Sequence, residues 1–342
     1  MSDYQQQAEA LFAALSAGDD AAAWRFKWEH PRFKGQTVDA VRDATLTLDD
    51  ARVVIAAEHS FSGWEPLAEF TRAVVDDPRV ARFEEAVDAV VTGDAAKLRA
   101  LLRDGPELVH ARSMRRHHAT LLHYIGANGV EGYRQHTPPN AVEIARMLLD
   151  AGAEADALAD LYESKCTTMS ILVSSVHPAK AGLQGALAEL LLDYGAALAN
   201  ANTALAFGYR DTAEVLARRG APIDLPVAAG LGRFEDAARL LPAADAASRH
   251  IALALAAQHG HAEIVRLLLD AGEDPSRYNP DGYHAHSTPL HQAVWSEHMD
   301  VVRLLVERGA RLDVQDTIYQ GTPLDWAIYG NRDAIADYLR TI

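Results

Sequence analysis

Between residues 286 and 342 the apolar positions recur with helical spacing, break, and restart on the same signal. A Thr288-Pro289-Leu290-His291 turn starts a short helix, and a second helix follows through Val301, Val302, Leu304 and Leu305 until Gly309 closes it. Gly321-Thr322-Pro323-Leu324-Asp325-Trp326-Ala327 then begins the cycle again, with Thr288 and Thr322 34 positions apart. Each helix pair carries an apolar face that it cannot bury alone, so neighbouring pairs must stack. The pattern predicts an all-α solenoid.

Laid back along the chain, this period finds repeats from about residue 82. Residues 83–91 and 95–102 make the first pair. Repeat two opens at Thr120-Leu121-Leu122-His123-Tyr124 and has its second helix at 141–149, with a Gly-, Pro- and polar-rich insertion at 129–140 between them. Repeat three begins at Thr167-Thr168 and carries a smaller insertion at 175–178. Gly152 and Gly195 are 43 apart, so this repeat exceeds the period. Repeats four and five are compressed, repeat six returns to the standard form, and repeats seven and eight are those already described. Long loops in a compact repeat are functional or mobile far more often than short turns are.

Residues 1–78 lack the repeat but still read as helices, over 7–17, from about 20, over 37–46 and 49–58, and from 62 to 75. Trp24, Phe26, Trp28 and Phe33 make an aromatic cluster assigned to packing. The predicted organisation is an N-terminal helical cap over 1–78 and a repeat solenoid over 79–342, with no low-complexity linker to separate them.

Charge narrows the partners. With 48 acidic against 32 basic residues the net charge is −16, which disfavours a phosphate-tracking surface and with it nucleic acid. The single cysteine, Cys166, excludes an internal disulfide framework and a thiolate metal cluster. No basic and apolar leader and no membrane-length apolar run is present, so a cytoplasmic protein with nothing cleaved is expected.

Over about residues 80–342 these motifs resemble the ankyrin-repeat proteins. The resemblance implies about eight helix pairs with short β-hairpin or finger loops, and a binding surface on those loops and on the first helix of each pair. The chain also resembles a bacterial group of ankyrin-repeat proteins with an N-terminal helical cap. That likeness rests on Trp24-Arg25-Phe26-Lys27-Trp28-Glu29-His30-Pro31 and Phe61-Ser62-Gly63-Trp64. It also rests on Thr120 to Tyr124 with Asn128-Gly129-Val130-Glu131-Gly132-Tyr133-Arg134, on Thr167-Thr168 to His177-Pro178, and on the last Thr-Pro-Leu turn. The group implies no particular substrate or partner. Where a glycine-rich loop is expected after repeat two, this chain has Leu161-Tyr162-Glu163-Ser164-Lys165-Cys166.

Most of the fifteen histidines belong to the repeat itself. His123 and His291 sit in the Thr-x-Leu-His turn and are expected to bond its backbone and hydroxyl groups. His259, His261 and His298 fall at inter-helix turns. His117-His118 and His284-Ala285-His286 lie on finger loops and read as solvated side chains, with His284 and His286 a weak alternative as ligands of zinc or nickel beside Asp281. No metal and no cofactor is predicted. The favoured site gathers both insertions: Tyr124, Asn128, Tyr133, Arg134, Tyr162, Glu163 and His177 supply donors, acceptors, a fixed cation and an imidazole expected at one edge of the groove. These side chains either tie long loops to their neighbours or hold a ligand. Trp295, Asp325, Trp326 and Tyr329 form a second group, read as interface anchors or as core. The leading functional expectation is a non-catalytic scaffold that binds a neutral or basic protein partner along the concave groove. The alternative is a small-molecule binding protein or acid/base enzyme at the repeat two and three insertions.

Overall fold

The computed structural model describes residues 1–342, apart from the side chain of Ser2. Almost all regular structure is helical, as the period requires. Five helices precede the repeats: α1 (Ser2–Ser16), α2 (Asp20–Glu29), α3 (Val38–Arg42), α4 (Leu48–Glu58) and α5 (Trp64–Asp76). α1 begins earlier than its apolar periodicity indicates. Its polar first turns are tied by Gln7 to Asp3 and Gln5 to Glu9, both at the i, i+4 spacing that faces side chains together. α3 is shorter than expected, because the chain must leave it to reach Thr47, which closes a reciprocal capping box with Asp50 at the start of α4.

Helix pairs follow: α6 (Pro78–Thr92) with α7 (Ala95–Asp104), then α8 (His123–Gly126) with α9 (Ala141–Asp150). In the third, α10 (Thr168–Leu172) and α12 (Gln184–Asp193) are separated by α11 (Val176–Lys180), so the smaller insertion is itself a helical turn. The later pairs are α13 (Ala201–Ala206) with α14 (Arg210–Arg218) and α15 (Leu225–Leu231) with α16 (Phe234–Leu240). After these come α17 (Ala246–Gln258) with α18 (Ala262–Asp270), α19 (Pro289–Trp295) with α20 (Met299–Glu307), and α21 (Pro323–Tyr329) with α22 (Asp333–Arg340). The chain divides into two compact units, residues 1–197 and 198–342. Among the described residues no helix is long and apolar enough to cross a membrane.

In the first unit Ala8, Leu11, Phe26, Phe33, Val54 and Ile55 form a buried core among α1 to α4. Only half of the aromatic cluster packs as expected. Trp24 and Trp28 are exposed and stack on each other, with the Lys27 ammonium 3.1 Å from the Trp28 ring centre. Residues 159–166 form a hairpin in which β1 (Ala159–Leu161) pairs antiparallel with β2 (Ser164–Cys166), Leu161 opposite Ser164. Its two turn residues, Tyr162 and Glu163, are both left-handed, as the tightest hairpins demand.

In the second unit one apolar core runs from Leu225 to Leu339. Histidines lock its layers. His261 Nε2 bonds Gly230 O at 3.1 Å and His298 Nε2 bonds Gln258 O at 3.1 Å. Each imidazole lies against a left-handed glycine of the preceding pair, Gly232 or Gly260, where a Cβ would come within 2.5 Å of the ring. Glycine is required there twice over, for its positive φ and for the imidazole's space.

Candidate functional site

Three polypeptide segments meet beneath the first insertion. Glu84 comes from α6, Arg115 from the loop before α8, and Glu131 and Arg134 from the insertion itself. Arg115, although a finger-loop arginine, is 1% exposed, and its guanidinium carbon lies 4.4 Å from the Phe70 ring centre. Its Nη1 donates to Glu84 Oε1 at 2.6 Å, its Nη2 to the Tyr133 hydroxyl at 3.1 Å, and its Nε stands 3.4 Å from Glu131 Oε1. Arg134 closes the ring with Nη2 on Glu84 Oε2 at 2.9 Å and Nε 3.5 Å from Glu131 Oε2. The Tyr124 hydroxyl donates to Glu131 Oε1. Two carboxylates thus face two guanidiniums in a nearly sealed, charge-balanced cluster.

Burial alone would raise the Glu131 carboxyl. The Arg115 and Arg134 charges and the Tyr124 hydroxyl, with the His117 ring close by, outweigh it and hold the group at about 2. Burial pushes Tyr124 and Tyr133 above the ordinary phenol range and His117 below the ordinary imidazole range. At neutral pH the cluster therefore holds an ionised carboxylate, neutral phenols and a neutral imidazole. His117 Nδ1 accepts the Ala119 N–H, which leaves the ring proton on Nε2, 3.7 Å from Glu131 Oε1. That contact is beyond hydrogen-bond reach. His117 Nε2, Arg115 Nε, Glu131 Oε2 and Arg134 Nη1 are buried without a hydrogen-bond partner.

Of the seven residues expected at one edge, Tyr124, Tyr133 and Arg134 enter this cluster. Asn128 and Tyr162 pair with each other beside it, the Tyr162 hydroxyl donating to Asn128 Oδ1, while Asn128 Nδ2 holds Ser174 Oγ at 2.8 Å. Glu163 turns away to Lys34. His177 stands apart on α11, and among the described residues it makes no side-chain hydrogen bond or ion pair, because its insertion coils rather than looping inward. Sequence reasoning misses Glu84, Arg115, His117 and Glu131; His117, expected to be solvated, is 2% exposed. A cavity of about 590 Å³ adjoins the cluster, lined by Ser60, Arg116, His117, Gly129 and the 160–165 hairpin. Cys166, at the end of that hairpin, is partly buried with Sγ 3.6 Å from Leu161 O.

The turn histidines serve the fold as expected. His123 Nδ1 bonds Thr120 and its Nε2 lies 3.3 Å from Cys166 O, while His291 repeats this with Thr288 and Gly321 O at 3.2 Å. His284 turns Nε2 onto Ala206 O at 2.8 Å, and its ring meets that of His286 edge-on. Neither loop histidine gathers a ligand set, since among the described residues no three His, Cys, Asp or Glu side chains converge for a metal.

The second predicted group does come together. Trp295 ends α19, and Tyr329 ends α21 one repeat later. Their rings are parallel within 18° at 6.4 Å, and Trp326 meets Trp295 edge-on at 5.9 Å. Trp326 is fixed by an indole bond of 3.0 Å to Asp316, whose fully buried carboxylate also accepts the N–H groups of Ile318, Tyr319 and Gly321. Asp325 caps α21 with Thr322, the role that His291 plays in α19. These residues, with Tyr319, Gln292 and the two loop histidines, surround an open groove of about 610 Å³. Tyr329 is 83% and Trp295 44% exposed, so both are surface platforms, whereas Trp326 is half-buried against the core.

Residues 225–316 and 253–341 match the family described as ankyrin repeats (3 copies), which places α15 to α22 within it. A 62-residue stretch, 18% of the chain, is 37% identical to an ankyrin repeat-containing protein, P1E11.10, of Schizosaccharomyces pombe (strain 972 / ATCC 24843). It spans 28% of that protein's length. The chain therefore carries ankyrin repeats on an all-α framework, and such repeats generally serve protein interaction.

Proposed function

We propose that this chain is a non-catalytic recognition module of the cytoplasm, and that a neutral or basic protein partner docks on the groove of α19 and α21. One observation carries the reading: a concave surface of about 610 Å³ presents Trp295, Tyr319 and Tyr329 to solvent on a rigid frame. Exposed aromatics held in a fixed concavity are the residues that dominate binding energies, since they bury much area while losing few rotamers. The net charge of −16 favours a partner without excess acid. The test is selection of peptides on the intact chain, followed by Trp295→Ala and Tyr329→Ala. Peptides that hold the parent and release both variants, at unchanged melting temperature, support the groove. Peptides that bind parent and variants alike refute it.

A second reading attaches to the first unit, where the unpartnered His117 Nε2 belongs to a residue lining the cavity beside the 159–166 hairpin. That cavity has the size of a small-molecule site. The cluster behind it weighs against acid/base catalysis, because Glu131, Arg115 and Arg134 are occupied by one another. The reading is thus of a small polar ligand held without chemistry, and native mass spectrometry of the purified chain decides it.

A further inference from the structure

We infer that the anchor taken by the groove of α19 and α21 is an arginine side chain of a basic peptide segment, its guanidinium stacked on Trp295 and Tyr329 and facing Asp325. The inference rests on the recognition reading above and names the chemistry of that site.

Three features point to a flat cation. The two platform rings occupy the same place in successive repeats and lie parallel within 18°, 6.4 Å apart, so a flat group can lie parallel to both. Planar guanidinium stacks on such a surface more readily than ammonium does. The groove also contains no lysine or arginine. Arg332, which reaches the backbone of Trp295, is committed elsewhere, donating to Trp295 O at 3.1 Å and pairing with Glu297 at 3.3 Å.

A counter-charge is in place. Asp325 Oδ2 accepts both the N–H and the hydroxyl of Thr322, at 2.8 and 2.7 Å. Among the described residues Oδ1 makes no hydrogen bond or ion pair, and the side chain is exposed on the groove. The Thr322 bonds hold this carboxyl below the usual aspartate range, so it is charged at neutral pH. Burial favours the neutral form of His284, another residue of the groove lining. Trp326, locked by Asp316, prevents the site from collapsing when empty, so little ordering is needed on binding. At longer range the acidic chain attracts a basic segment and repels a second copy of itself.

The experiment uses the ¹⁵N-labelled full chain and four peptides, acetyl-Gly-Ser-X-Ser-Gly-amide with X arginine, citrulline, lysine or norleucine. The indole N–H signals of Trp295 and Trp326 report binding. The arginine peptide is expected to move both signals and to bind about tenfold more tightly than the isosteric but neutral citrulline peptide, a ratio worth about 1.4 kcal/mol. Lysine falls between them, and added salt weakens the arginine peptide most. Asp325→Asn should narrow the arginine preference while keeping the fold, because the asparagine amide oxygen can still accept the Thr322 N–H from the third position of the capping box. Equal binding of arginine and citrulline peptides overturns the arginine assignment and leaves the recognition groove standing. Absence of any indole shift at millimolar arginine peptide also overturns it. Loss of the recognition reading itself would appear separately, as selected peptides indifferent to Trp295→Ala.

Discussion

Replacing Glu131 by glutamine removes the charge at the centre of the buried cluster and keeps its shape. Glu131 is 1% exposed, and its carboxyl sits at about 2 in the fold against an ordinary 4.5. A gap of about 2.5 pH units at 1.36 kcal/mol per unit corresponds to roughly 3 kcal/mol of stability. Because the folded value lies below the unfolded one, this contribution is complete above about pH 4.5 and is lost as pH falls toward about 2. Near pH 3 about 2 kcal/mol of it has gone. Other carboxylates titrate in the same range, so the informative quantity is a difference of differences. Urea unfolding, followed by far-ultraviolet circular dichroism, is compared for parent and Glu131→Gln near neutrality and near pH 3. Near neutrality the variant is expected to lose about 3 kcal/mol or more, since Glu84 alone would then balance the buried charges of both Arg115 and Arg134. On acidification the parent is expected to lose about 2 kcal/mol more than the variant, in the transition assigned to the first unit. Equal losses would mean that Glu131 is not held ionised by its neighbours, and the ion-paired account of the cluster would fail.

Two further outcomes follow from the same geometry. Gly260→Ala forces both a left-handed alanine and displacement of His298, and is expected to cost about 2–3 kcal/mol, whereas Gly309→Ala, equally left-handed but in open space, should cost about 1; equal midpoint shifts in urea would remove the imidazole lock from the explanation. For the cavity beside the hairpin, native mass spectra should show a bound mass that His117→Gln and Tyr162→Ala release; a parent spectrum at the bare chain mass, or a mass retained by both variants, rejects the ligand reading.

The parts of the molecule legible in its sequence are those written in a local code. The Thr-x-Leu-His turn recurs because its imidazole must bond both its own threonine and the carbonyl of the next turn, so its spacing fixes the repeat. Trp295 and Tyr329 could be placed on one surface for the same reason, since equal positions in neighbouring repeats face the same way. The buried cluster obeys no such code. Glu84, Arg115 and Glu131 lie on segments with no common period, and a charged residue on a loop reads as solvated unless its partner is known. The one clue was the insertion itself. A helix as short as α8 cannot cover its own flank, and the inserted chain returns over it carrying Glu131, Tyr133 and Arg134 into the gap. Analogy between the two insertions would group His177 with them. That analogy breaks on local conformation: residues 176–180 complete an α-helical turn, whereas the first insertion passes through a left-handed Gly129 and forms only a short 3-10 turn at Gly132–Arg134. A polar cluster of this kind does not arise from the repeat. It is what the repeat, once interrupted, needs in order to bury the interruption.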